Sequence, residues 1–180
     1  REIANEDRLA ADATARRATR LNEQSDMAHN ILSTVLLTCD GDFAAAESEV
    51  RRCLELNPYF APGIFQLGAV HIFRGEAEQG IDLCVKAMEV NPRGPLNHRI
   101  LWHIALGHFV LERYEPAVAW AKRSDLLFPD VAPTLLILTA AAAQSGQADE
   151  AGRAVERLRM LFPEFDMAAL RRWPFQDDAT

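Results

Sequence analysis

The sequence predicts an all-α, right-handed superhelical solenoid built from helix–turn–helix repeats. Three observations carry this. Four proline-terminated segments recur: Leu56-Asn57-Pro58, Val90-Asn91-Pro92, Leu127-Phe128-Pro129 and Leu161-Phe162-Pro163. Their prolines lie 34, 37 and 34 residues apart, and self-similarity at a period of this size marks a repeat array. Seventeen residues before each proline stands a turn-like segment: Gly41-Asp42-Phe43, Gly75-Glu76-Ala77, Glu112-Arg113-Tyr114 and Gly146-Gln147-Ala148. A small residue follows five positions on, at Ala46, Gly80, Ala117 and Ala151. Between these landmarks, apolar residues recur at helical steps and strand-like alternation is missing.

Each element can be justified in turn. Residues 1–25 read as an N-terminal helix or incomplete repeat, with Ala11, Ala15 and Ala18 on one face. Residues 26–163 hold four repeats. The second is the clearest. Its first helix carries Ile64, Leu67, Val70 and Ile72, and its second carries Gly80, Leu83, Cys84, Ala87, Met88 and Val90. The turn glycine supplies a left-handed cap for the first helix. The closing proline ends the second, because it has no N–H to donate and clashes with the preceding turn. Pro62, Pro116 and Pro133 sit near helix starts, where a missing donor is harmless. In the third repeat Glu112 replaces the turn glycine. The 37-residue spacing places three extra residues at Arg93-Gly94-Pro95, expected as a kinked loop. Residues 164–180 are expected to form a capping helix and tail. Asp166 caps its start, and Met167, Leu170, Trp173 and Phe175 form a lid on the last repeat.

Composition excludes several classes of protein. With 180 residues the chain can bury a core without staples. A net charge of −7 argues against a nucleic-acid or anionic-membrane surface, which would need a basic face. Three cysteines form no disulfide framework and suit a reducing, cytoplasmic setting. The longest weakly polar run, 131–143, is short of the roughly 20 residues a membrane helix needs. No leader-like segment opens the chain, and the start at Arg1 suggests part of a longer protein.

The repeat pattern resembles the tetratricopeptide repeat, a 34-residue helix–turn–helix unit. Gly68, following Leu67, matches that family's small residue, with Ala105 and Thr139 in the corresponding places. In the first repeat Leu32-Ser33 fits only if the turn near 38–40 carries one extra residue. A looser resemblance joins Asn91-Pro92-Arg93-Gly94-Pro95-Leu96, the His-rich helix after it, and Phe162-Pro163 with Leu170-Arg171-Arg172 and Pro174-Phe175. These are similar to the C-terminal repeat regions of bacterial class III adenylate cyclases and winged-helix transcriptional regulators.

The resemblance implies a concave groove lined by first helices, where repeats of this kind bind peptides. It places Phe65, Ile72 and Phe73 of the second repeat, and Arg99, Trp102 and Phe109 of the third, on that groove. The four aromatics would form one apolar wall, with Arg99 at its rim. The competing expectation is that the wall packs internally, under Ile3 and Leu9 of the N-terminal helix or under the tail. The Lys and Asn set with which some members clamp a carboxylate-ended peptide is missing. His98, His103 and His108 are five apart, each turned by about 140° from the last, so they make no two-histidine metal pair. They and His71 read as structural. Cys53 and Cys84 read as core residues. No nucleophile motif, phosphate loop or metal-ligand spacing occurs, so neither catalysis nor a cofactor is expected. The implied function is a protein-interaction or regulatory module. The alternatives are the regulatory tail of a nucleotide cyclase, that of a DNA-binding activator, or a self-associating scaffold.

Overall fold

Helix and turn alternate through the whole of residues 2–163, which are those the computed structural model describes. The expected cap and tail, 164–180, lie outside the described residues. Among the described residues there are nine α-helices: α1 (Glu2–Leu21), α2 (Asp26–Val35), α3 (Phe43–Leu56), α4 (Ala61–Phe73), α5 (Ala77–Val90), α6 (Asn97–Val110), α7 (Tyr114–Leu127), α8 (Ala132–Gln144) and α9 (Ala148–Leu161). Among the described residues there is no strand. The helices pair as α2/α3, α4/α5, α6/α7 and α8/α9, each pair packing on the next. The first helices of neighbouring pairs, α2 with α4, α4 with α6 and α6 with α8, also touch and so form the inner wall. The chain is an all-α helical-repeat solenoid.

The repeat punctuation has a common backbone cause. Asn57, Asn91, Phe128 and Phe162 end their helices with φ of −146°, −136°, −145° and −131°. Each precedes a proline, whose ring drives the preceding residue out of the helical region. At the turns, Gly75 and Gly146 adopt φ of 85° and 76°, and Glu112 is held at 57° in their place. The next amide then reaches back five residues: Glu76 N–H to the His71 carbonyl at 2.9 Å, Arg113 to His108 at 2.8 Å, Gln147 to Ala142 at 2.8 Å. In the first repeat the equivalent Asp42 amide reaches back six, to Leu36 at 3.1 Å. The extra residue is taken up by a π-helical turn, Leu36–Asp40, that continues α2. The insertion expected near 38–40 is therefore present as a wider turn of helix.

The three extra residues before α6 form the expected loop. The Asn97 side chain donates from Nδ2 to the Pro92 carbonyl at 2.9 Å and so fastens the start of α6 to the end of the preceding repeat. Of the small-residue positions, Ala46 and Ala117 are without exposure, whereas Ala151 of the last repeat is only partly buried. Glycine takes the tightest place. A Cβ at Gly80 would meet Ile72 Cγ1 at 2.5 Å and the Gly68 carbonyl oxygen at 2.7 Å. Polar ties run between units. Gln66 donates to Ser33 Oγ at 3.3 Å, joining α4 to α2. Arg157 bridges Asp125 of α7 at 2.7 Å and the loop residue Asp130 at 2.5 Å.

Candidate functional site

The residues expected to line the groove lie on α4 and α6. Helix α4 has no polar stripe, since every residue of Ala61–Phe73 except Pro62 is buried. A helix apolar all round must have neighbours all round. Phe65 and Phe73 lie two turns apart on its inner side, at 4% and 5% exposure. On α6, Arg99, Trp102 and His103 share a face by their three- and four-residue steps. Trp102 and Phe109, seven residues apart, are both half-buried.

These side chains form one aromatic cluster centred on His103. The His103 ring meets Phe65 edge-on at 4.8 Å, Phe73 edge-on at 6.1 Å and Trp102 at 3.7 Å between centroids. Its Nδ1–H donates to the Arg99 carbonyl at 2.8 Å. Burial pushes its pKa down to about 3, with the nearby Arg99 charge adding to the effect against the backbone hydrogen bond. The imidazole is therefore neutral at physiological pH and acts as an aromatic packing element. The Arg99 guanidinium lies 5.7 Å from the Phe65 ring centroid, within cation–π range. It has no ion-pair partner among the described residues.

The structure thus brings together Phe65, Phe73, Arg99 and Trp102, as the sequence suggested. Phe109 stands further along α6, edge-on to Tyr114 at 5.6 Å. Ile72 does not belong to the wall. It is wholly buried, pressed into the hollow left by Gly80, where an added Cβ would stand 2.5 Å from its Cγ1. A side chain at Gly80 would have displaced it. Exposed side chains stand on the first helices of the two end repeats. Met27 and Ile31 on α2 are 48% and 46% exposed, and Ala143 and Gln144 on α8 are exposed as well. Leu9 of the N-terminal helix is 64% exposed, and α1 packs on α2 and the π-turn, so Leu9 does not cover the wall.

The sequence reading set aside a metal role for His103 and took it as a structural histidine, but missed its place in the cluster. The signal was the i, i+3, i+4 grouping of Arg99, Trp102 and His103. His71 and His108 are structural in different ways. His71 Nδ1 pairs with Glu76 at 2.5 Å. The pKa of His108 is lowered by burial and by Arg113, against the pull of Glu78. No three His, Cys, Asp or Glu side chains gather as a metal site among the described residues. Burial raises the Cys53 thiol to about 11 and Cys84 further, which leaves both unreactive. No helix of the described residues is long and apolar enough to cross a membrane.

Comparison with known proteins places the fold. No family model and no curated protein sequence matches the chain. Solved structures do. A crystal structure of PilW, described as a widely conserved type IV pilus biogenesis factor, superposes with a TM-score of 0.76 at 18% identity, over 93% of this chain and 75% of that one. YrrB, described as a TPR protein with an unusual peptide-binding site, gives 0.62 at 17% identity, over 85% and 77%. The Cut9–Hcn1 hetero-tetramer of the APC/C gives 0.81 at 14% identity, over 95% of this chain and 33% of that one. The fold is that of tetratricopeptide-repeat solenoids.

Proposed function

We propose that this chain is a non-catalytic protein-interaction module that holds an apolar peptide or partner segment along α6. The observation that carries the reading is the arrangement of Arg99, Trp102 and Phe109. Two half-buried aromatics stand two helical turns apart on one helix, with an arginine at the near end that pairs with no carboxylate among the described residues. Apolar anchors beside a lone cation fit a segment with hydrophobic side chains and an acidic group. Such a surface does not suit a small charged metabolite. That YrrB is described as peptide-binding supports the class of ligand. The three free thiols, two of them buried, suit a cytoplasmic setting. The net charge of −7 weighs against direct contact with nucleic acid.

Peptide selection against the full chain tests the reading. Selected peptides are expected to carry apolar anchors and an acidic residue. Trp102→Ala is expected to weaken them by about 2 kcal/mol or more, as for a true anchor. Arg99→Ala is expected to act mainly on association rate and salt dependence. Peptides that bind Trp102→Ala and Phe109→Ala as tightly as the parent would place the site elsewhere.

A further inference from the structure

The link into α6 is longer than its counterparts, and a cavity lies beside it. Six residues, 91–96, join α5 to α6, where four, 57–60 and 128–131, lead into α4 and α8. Between the longer link and the starts of α4 and α6 is a cavity of about 60 Å³. Its lining is mostly apolar: Ala61 and Phe65 of α4, Ala87 of α5, Ile100 of α6, and Gly94 and Leu96 of the link. The four helix residues are buried, whereas Asn91 and Pro95 are exposed and mark the mouth. Asn97 adds one polar side chain to the lining and is itself only 7% exposed. Its Nδ2 is held by the Pro92 carbonyl, while its Oδ1 accepts no hydrogen bond among the described residues. A Cβ at Gly94 would stand 3.1 Å from that oxygen, so glycine keeps it open. No carboxylate lines the cavity. The Arg99 guanidinium stands 5.7 Å from the centroid of Phe65, the ring that forms part of its wall.

We propose that this cavity is an anchor subsite for the partner segment: it takes one small aliphatic side chain, of valine or proline size, whose neighbour in the segment is acidic. This rests on the peptide-binding reading above. Size sets the first half. A dry apolar cavity of about 150 Å³ holds benzene, or about 25 Å³ per carbon. The cavity of about 60 Å³ thus has room for about two or three carbons and excludes an aromatic ring. Charge sets the second half. Arg99, beside the cavity wall, pairs with no carboxylate among the described residues and so draws one from the segment. Asn97 Oδ1 supplies an acceptor for the segment's backbone, the kind of sparse polar group that orients a ligand in an apolar site. The subsite adjoins the α6 surface through Arg99, which shares a face with Trp102 one turn on. One extended segment can therefore fill the cavity and reach that aromatic.

The test probe is a degenerate decapeptide library with one aspartate fixed at its centre. It is passed over the immobilised full chain, over Leu96→Ala, which widens the cavity, and over Ala61→Leu, which fills it. Bound peptides are sequenced. The parent is expected to enrich valine or proline at a position next to the aspartate. With Leu96→Ala the enrichment should move to leucine, isoleucine and methionine, and with Ala61→Leu it should vanish at that position. In a peptide selected by the parent, changing the valine anchor to alanine should weaken binding about tenfold, as two buried carbons imply. One side-chain preference shared by all three chains overturns the proposal. So does a parent that enriches an aromatic at that position or enriches no peptide at all. Leu96→Ala shortens a half-buried side chain of the link, so its shift in preference reads the cavity even where Ala61→Leu unfolds the chain. A preference that follows Leu96→Ala but ignores Trp102→Ala and Phe109→Ala sinks the α6 reading and keeps this one. Peptides lost with Trp102→Ala yet indifferent to Leu96→Ala keep the α6 reading and sink this one.

Discussion

Gly80→Ala and Gly152→Ala make the same chemical change in two second helices and should move stability in opposite directions. Alanine in a helix interior is favoured over glycine by about 0.8–1 kcal/mol. At Gly152 of α9 an added Cβ meets nothing within 4 Å, so the propensity gain should appear alone, as a stabilisation of about 0.5–1 kcal/mol. At Gly80 the same Cβ would stand 2.5 Å from Ile72 Cγ1 and 2.7 Å from the Gly68 carbonyl oxygen. Carbon contacts are comfortable only from about 3.5 Å. Ile72 is fully buried and the Gly68 carbonyl belongs to the backbone of α4, so neither can yield freely. Helices α4 and α5 must separate, and overpacking of this kind costs about 1–3 kcal/mol. Net of propensity, Gly80→Ala should lose up to about 2 kcal/mol. The two variants should differ in midpoint by several degrees, at about 2–4 °C per kcal/mol for a chain of this size. Thermal and urea unfolding followed by circular dichroism at 222 nm reads both. If Gly80→Ala tracks Gly152→Ala upward, the α4–α5 contact and the repeat register derived from it are wrong.

Two further outcomes follow from single residues. Glu112 occupies a left-handed turn position with φ of 57° and an exposed side chain; Glu112→Gly should stabilise the chain by about 1 kcal/mol in urea unfolding, and a loss of stability would show that the turn needs the carboxylate. His103 stays neutral in the folded chain down to about pH 3, whereas an unfolded imidazole takes up its proton near pH 6.5. Its contribution is thus fully present above about pH 6.5 and is lost as pH falls toward 3, by about 2 kcal/mol at pH 5. His103→Leu should flatten the dependence of the urea midpoint on pH between 7 and 5, and a variant as pH-sensitive as the parent would refute the role given to this ring.

The repeat architecture was legible because its punctuation is chemical. Proline forces the residue before it out of the helix, so Asn57, Asn91, Phe128 and Phe162 share one conformation although their side chains differ. The misfit of Leu32-Ser33 was legible as well, since a register error of one residue has few remedies, and the π-turn at Leu36–Asp40 is among the mildest. Even the departure at Glu112 could be read. The turn still needs a residue with positive φ to aim the Arg113 amide at the His108 carbonyl, and glutamate accepts the strain.

The site was only half legible, for a geometric reason. Helical spacing gives the angle of a side chain about its own axis, and on that basis Ile72 and Phe73 are adjacent candidates for an inner face. Which of them turns inward depends on what stands opposite. The missing Cβ at Gly80 makes room for Ile72 between α4 and α5, with Gly107 beside it, and α4 is then fixed with Phe65 and Phe73 toward the groove. The exposure of those rings depends in turn on a third helix. His103 reaches them from α6 and bridges them to Trp102, which joins three separately predicted residues in one cluster. That cluster also separates two roles within one wall. Phe65, Phe73 and His103 are buried deeply enough to hold α4 against α6, so their truncation would damage the scaffold and the groove together. Trp102 and Phe109 keep part of their surface outside the core. On the function proposed above, changes at those two and at Arg99 are expected to alter binding and leave the fold standing.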